Sequence, residues 1–458
     1  MSSRARALMI GLLLAELAVG GYLVAARLGR PPVPQVDITR LPPATAAAIR
    51  QLESQADSDR PAAWRELGEA YLAYGYLPEG EVVLARAVAM DETNESVRWM
   101  HARCLERLGR LEEAIAEFER VASGTSGDRS PDCWQRIGKC RLRAEQPKEA
   151  IAAFERALPS SLARFELARV LLRTGRIDEG MKHVEQLRRG GPLDIFVETV
   201  AAEGARLQGD LFRVAVAEER AERGTGEMEQ QREWKDLDGI RARYGLMAEL
   251  ADCSAELAAR RATVAVGRFE TVIKTNPPEV VEPLLTNGLQ IAYQAQDLST
   301  ASRWVALFEP RLSLPPMARH ILGEMEWNGG SRRTAREWLA ASRKMQPNSE
   351  ISSRLADLSE DTGTPEQRAE YRSEVFWLNG VDAYRIGSFE AAEGYLQEAA
   401  RRRLRDPLPD FYRGEIALAQ EEWSTAEKAY RRAIARDPHC GRAHDRLRAL
   451  ASRSGSSE

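Results

Sequence analysis

The chain is poor in the residues that carry most enzyme, metal and disulfide chemistry. Its 458 residues include five cysteines and five histidines. An odd number of cysteines (Cys104, Cys133, Cys140, Cys253 and Cys440), scattered over the whole length, is no disulfide framework. No CxxC or CxxCH occurs, which removes the common redox and haem-attachment motifs. The histidines (His101, His183, His320, His439 and His444) form no HExxH. Net charge is also scarce, at −4, which argues against a generic nucleic-acid binder. Aromatics make up only 7%. What is plentiful is Ala, Leu, Glu and Arg, a helix-forming composition. A chain this long holds about two to four domains unless it is repetitive.

One long apolar run occurs, ALMIGLLLAELAVGGYLVAA at residues 7–26, with Glu16 as its single charge. At about 1.5 Å per residue it matches the hydrocarbon thickness of a bilayer. Arg4 and Arg6 precede it, and Arg27 and Arg30 follow. It reads as a transmembrane signal anchor; the rival is a cleaved signal peptide ending at the small residues Val24, Ala25 and Ala26. The short basic N-terminus is expected on the cytoplasmic side, with the bulk of this single-pass protein on the periplasmic or extracellular side. Glu16 is either a tolerated charge or a contact to a partner helix. Pro31, Pro32, Pro34, Pro42 and Pro43 predict an extended spacer that holds the next domain off the bilayer.

The rest is organised by a period. From Gly414, small or large apolar residues follow at fixed intervals: Ala417, Trp423, Ala426, Tyr430 and Ala433, then Pro438. Starting 34 residues earlier, at Gly380, the same offsets give Ala383, Phe389, Ala392, Leu396 and Ala399, with Gly387 between. Gly68 gives Tyr71, Gly75, Leu77, Gly80, Leu84 and Ala87. Ala102 gives Leu105, Gly109, Leu111, Ala114, Phe118 and Val121. Gly138 and Ala168 start two more copies, Ala202 a degraded one, and Leu322-Gly323 a weak one. A period near 34 means a helix, a short turn and a second helix per unit. Small residues let the two helices approach, large ones fill the gap, and each pair leaves an apolar face for its neighbour.

The segments WRELGEAYLAYGYLPEGEVVLARAVA, LGRLEEAIAEFERVA, KEAIAAFERAL and EEWSTAEKAYRRAIARDP resemble the tetratricopeptide repeat family. The resemblance implies an all-α, right-handed superhelical solenoid of antiparallel helix pairs. It divides the chain into a signal anchor at 1–28, a Pro-rich spacer with a short leading helix at 29–60, and repeats at 61–224. Degenerate helical hairpins at 225–372 follow, then C-terminal repeats with a polar capping helix at 373–450. The tail 451–458 (ASRSGSSE) is expected to be disordered. A non-repeat insertion is the alternative for the middle.

In this family the first helix of each pair lines the concave face, so the resemblance points to residues one and five places after each small residue. In repeats two to four these are Arg103 and Arg107, Lys139 and Arg143, Arg169 and Arg173. Six cations in two ladders suit an acidic peptide or a C-terminal carboxylate. The alternative is a solvated surface partnered by Glu106 and Glu166. The asparagine pattern of chaperone-tail binders is absent, with Glu69 standing where asparagine would be expected. Near the C-terminus, Trp377, Tyr384 and Phe411 fall at groove positions, able to hold an apolar peptide or to pack on a neighbouring helix.

Cys104 and Cys140 occupy equivalent positions in adjacent repeats, as buried packing or as a redox pair. His439, Cys440 and His444 offer three metal ligands but no local fourth. No catalytic, cofactor or metal site is expected, no small-molecule substrate and no nucleic acid. The expected function is a membrane-anchored, non-catalytic scaffold or assembly factor that binds a protein or peptide partner. An anchor followed by such repeats is similar to bacterial envelope assembly proteins, including cytochrome c maturation factors, by fold-level analogy. The alternatives are a secreted soluble binding protein, or an enzyme with its site in 225–372.

Overall fold

A computed structural model describes residues 32–56, 60–124, 130–190, 193–225, 243, 245–276, 278–308 and 314–455. The expected anchor at 7–26 lies outside the described residues. Among the described residues no helix is long and apolar enough to cross a membrane.

The described chain is α-helical, with one isolated parallel bridge between Asp194 and Thr225. The N-terminal block runs α1 (Pro43–Ala56), α2 (Pro61–Tyr74), α3 (Leu77–Met90), α4 (Glu95–Leu108), α5 (Leu111–Ala122) and α6 (Ser130–Arg143). It continues with α7 (Pro147–Arg156), α8 (Ser161–Arg173), α9 (Ile177–Gly190), α10 (Ile195–Leu207) and α11 (Leu211–Arg223). The second block begins with α12 (Gly245–Ala258), α13 (Ala262–Thr275), α14 (Pro278–Val281), α15 (Leu285–Gln294), α16 (Leu298–Phe308), α17 (Pro316–Gly329) and α18 (Arg332–Met345). It ends with α19 (Ser349–Thr362), α20 (Pro365–Arg385), α21 (Phe389–Arg402), α22 (Leu408–Ala419), α23 (Trp423–Arg436) and α24 (Gly441–Gly455).

The spacing in the sequence acts through simple geometry. A Cβ on Gly68 would sit 2.5 Å from a methyl of Leu84, and one on Gly414 would sit 2.4 Å from the Tyr430 ring. Each glycine is therefore the notch that receives the large residue sixteen places on, and the hairpin closes around that contact. The turn between the helices needs one left-handed residue. Gly75, Gly109, Gly175, Gly209 and Gly387 supply it, with φ between 73° and 85°. Glu145, Arg260, Gln296 and Glu421 stand in the same conformation without being glycine. Caps are local: Asn94 accepts from the Val97 amide at 3.2 Å, and Asp210 from the Arg213 amide at 2.9 Å.

The middle continues the stack. Phe269 of α13 fills the space opposite Gly288 of α15, and Leu339 of α18 fills that opposite Gly323 of α17. No compact insertion interrupts the hairpins among the described residues. The irregularity is α20, a 21-residue helix. Its N-terminal half packs Tyr371 with Ile351 and Leu355 of α19, and its C-terminal half sets Gly380 against Leu396 of α21. One helix thus serves two hairpins, and a turn is missing from the pattern there.

Three expectations are corrected. Residues 33–41 do not stand free as a spacer: Val33, Val36, Ile38 and Leu41 pack on the first core cluster. The Tyr71 hydroxyl donates to the Pro34 carbonyl at 2.7 Å, and the Tyr76 hydroxyl to that of Asp37 at 2.8 Å. The tail expected to be disordered from 451 is helical to Gly455. The last helix, α24, is no solvated cap, because α11 covers it.

That contact closes the solenoid. α11, at the end of the N-terminal block, packs on α20, α22 and α24. α12, which starts the second block, packs on α1. Followed from neighbour to neighbour, the helices form an unbroken circuit. At the α12–α1 contact the Leu246 amide donates to the Thr45 hydroxyl at 3.2 Å, and a Cβ on Gly245 would fall 2.3 Å from the Thr45 Cα.

A left-handed backbone costs an L residue about 1–2 kcal/mol. Gly109→Ala should therefore destabilise the chain by about 1 kcal/mol in denaturant unfolding. Gln296→Gly should act in the opposite direction by several tenths, since relief of strain outweighs the added unfolded-state entropy.

Candidate functional site

The six cations expected in the N-terminal groove are largely engaged. On α4, Arg103 is only 5% exposed; its Nη1 donates to Glu106 Oε2 at 2.7 Å and its guanidinium lies 5.6 Å from the Trp99 ring centre. That burial removes Arg103 from any ligand-binding face. Arg107 Nη1 donates to the Leu72 carbonyl at 2.8 Å, and Arg143 Nη1 on α6 donates to the Glu106 carbonyl at 2.8 Å. Both carbonyls lie in the last turn of the preceding first helix, where intrahelical partners run out. Arg107 and Arg143 are thus inter-repeat caps. On α8, Arg169 Nη1 donates to Glu166 Oε2 at 2.9 Å and its guanidinium lies 5.7 Å from the Phe165 ring. Lys139 is half-buried; Arg143 and Arg173 are exposed. Glu69 is buried, which raises its carboxyl pKa against the pull of Arg243 and Arg65; Arg243 Nη2 donates to it at 2.7 Å.

The C-terminal aromatic set is brought together, but not as an open groove. Tyr384 and Phe411 are fully buried, and Trp377 is half-buried at 5.4 Å from the Tyr412 ring. This corrects their expected role: an incoming peptide cannot reach Tyr384 or Phe411, because α11 and α24 already cover them. The Tyr384 hydroxyl donates to Glu219 Oε1 of α11 at 3.0 Å, and Tyr412 donates to Glu222. Arg446 of α24 binds Glu218 at 2.7 Å with Nη1, and Glu415 at 2.9 and 3.1 Å with Nε and Nη2. Arg442 lies 5.0 Å from the Phe411 ring and its Nη2 is 3.5 Å from Glu222.

Burial dominates the electrostatics of this joint. It raises the Glu219 carboxyl despite the bond from Arg223, and pushes the Tyr412 phenol up to about 12, helped by Glu222. Tyr384 is raised by burial and then by Glu415 and Glu219. Burial opposes the charge on Arg446, but Glu415 outweighs it and holds the guanidinium above its ordinary value. Sequence reasoning missed Glu218, Glu219, Glu222, Tyr412, Arg442 and Arg446 as a set. The only signal was the local pattern AEERAER of α11, which reads as a solvated face.

The thiols are packing groups. All five cysteines are free and buried, and burial pushes Cys104 and Cys140 up to about 12. The His444 ring contacts the Pro438 carbonyl at 3.0 Å, so it turns back on its own helix start. Among the described residues, His320, Glu324 and Glu350 bring three potential ligand atoms within 4.8 Å, but Arg354 already bonds Glu324 at 3.3 Å.

Because the folded state raises the Glu219 pKa, it favours the protonated acid. The stability from this group is complete below the ordinary value of 4.5 and is lost as pH rises through the raised value. Glu219→Gln should flatten the fall in unfolding free energy between pH 4.5 and neutrality, measured by denaturant titration at several pH values.

Comparison with known proteins follows the repeats. Residues 136–195 and 378–449 match the sequence profile of the tetratricopeptide repeat, and 96–123 match a second profile of the same repeat. No curated protein matches the chain in sequence. Among solved structures, the APC/C hetero-tetramer Cut9-Hcn1 is similar at 12% identity and TM-score 0.26, over 88% of this chain and 92% of that one. Naa15/Naa10 bound to HypK-THB is similar at 14% and 0.28, over 86% and 67%. A tetratricopeptide repeat protein from Parabacteroides merdae is similar at 10% and 0.24, over 69% and 100%. The chain carries tetratricopeptide repeats in an all-α solenoid.

Proposed function

We propose that this chain is a non-catalytic scaffold that holds a protein partner beside a membrane, with residues 7–26 as its anchor. The partner presents an acidic peptide to the cationic face of α6 and α8. The observation that carries this reading is the placement of Lys139 and Arg143, then Arg169 and Arg173, on consecutive first helices, with Arg143 and Arg173 exposed. Guanidinium forks at such positions suit carboxylates. The docked segment 33–41 adds a geometric consequence. Only six residues, 27–32, lie between the anchor and that strap. Fully extended, they reach about 20 Å. The first repeat is then held against the bilayer, on its non-cytoplasmic side.

Two measurements test the reading. Arg143→Glu combined with Arg173→Glu should cut recovery of partners from membrane extract by about tenfold, the loss expected from one charge-assisted hydrogen bond or more. An unchanged partner set would sink the peptide site. The native chain should stay in the membrane pellet through alkaline carbonate washing, with a mass that includes residues 1–26. A soluble chain shortened by that segment would replace the anchor with a cleaved signal and a secreted protein.

A further inference from the structure

The contact that closes the circuit has the chemistry of recognition. α11 lies on α20, α22 and α24, and its side chains reach the first residues of α21 and α23. It presents one stripe to them, at helical spacing: Phe212, Val216, Glu219 and Arg223. Phe212 meets Trp423 edge to face at 5.1 Å, and Val216 packs on the C-terminal core cluster. Arg223 lies 4.9 Å from the Phe389 ring. Glu218, Glu219 and Glu222 meet Arg446, Tyr384, and Tyr412 with Arg442 respectively.

The receiving groups are also held by contacts within the C-terminal repeats. Arg446 is oriented by Glu415, which is itself fixed by the Tyr430 hydroxyl at 2.6 Å. Arg442 is stacked on Phe411. α11, for its part, is held to its own block at both ends. Its N-cap Asp210 follows the α10 hairpin turn. Just beyond it, the Thr225 amide donates to the Leu193 carbonyl at 2.9 Å. Each side thus also has contacts within its own block.

We propose that the C-terminal repeats form a receptor groove for an acidic amphipathic helix, and that α11 occupies this groove in cis as a built-in competitor. The ligand has an aromatic residue, an aliphatic one a turn later, and two or three carboxylates in the next turn. A partner helix of that kind displaces α11 and opens the circuit, pivoting on the α12–α1 contact. Tethering gives α11 a high effective concentration, so the groove is masked until a stronger helix arrives. This site is separate from the cationic face of α6 and α8, and its test needs neither a membrane nor a cellular partner.

The probe is a fluorescent peptide of residues 209–225, titrated onto the full chain by anisotropy. Wild type should bind it weakly. Glu218→Lys with Glu222→Lys breaks the latch from the α11 side and should tighten peptide binding by at least about tenfold. Arg442→Glu, added to that variant, should reverse the gain. Scattering should show the latch variant expanding with its helicity intact. Unchanged binding, or tight binding indifferent to Arg442→Glu, overturns the proposal. Should the latch variant lose helicity, the wild-type chain decides. Excess peptide must raise amide exchange in 211–223 above that of the other helices, and no rise overturns the proposal.

Discussion

A helical hairpin of this kind cannot bury both of its faces, and the rest of the structure depends on how that constraint is met. Each pair covers its neighbour, so a linear stack is left with two apolar ends. The usual remedy is a polar terminal helix. Here the two ends of the N-terminal block are covered by the two ends of the second block: α12 lies on α1, and α22 and α24 lie on α11. The end faces satisfy one another, and the last helix is free to carry Ala443 and Ala449 in the core.

Charge is handled in the same economical way. Asp410 is 1% exposed and is met by Arg413, Arg432 and Arg436; Glu198, equally buried, is met by Arg188 and Arg220. Desolvating such groups is costly, and the return in stability against apolar residues of the same size is small. Each such carboxylate ties side chains of neighbouring helices together. Those five arginines therefore have structural partners. Arg107 and Arg143 do related work on backbone carbonyls.

The hairpins were legible because their cause is local. A notch residue, a left-handed turn residue and a filling residue lie within one repeat, so their spacing survives in the sequence. The middle faded for physical reasons that the structure identifies. Its turns are made by Arg260 and Gln296, which adopt the left-handed conformation without the glycine that advertises it. Further on, α20 runs through where a turn should be. Trp377, Tyr384 and Phe411 lie on first helices, but burial rather than an open groove is their setting, and the helix that covers them has no signal in the sequence. Nothing in a period of 34 links Glu219 to Tyr384, which are 165 residues apart. Burial of Arg103 escaped for the same reason, since it depends on the stacking of repeats and not on its own helix.

The two closing contacts differ in kind, and the difference sets how the molecule can move. At α12–α1 the backbones themselves approach: Gly245 leaves no room for a side chain against Thr45. At α11, Phe212 and Val216 pack on the C-terminal core, and Arg442, Arg446, Tyr384 and Tyr412 reach three carboxylates. Another helix with similarly placed carboxylates offers the same polar partners to those groups. Under the proposed displacement of α11, the backbone contact at α12–α1 serves as the hinge and the side-chain contact at α11 as the latch.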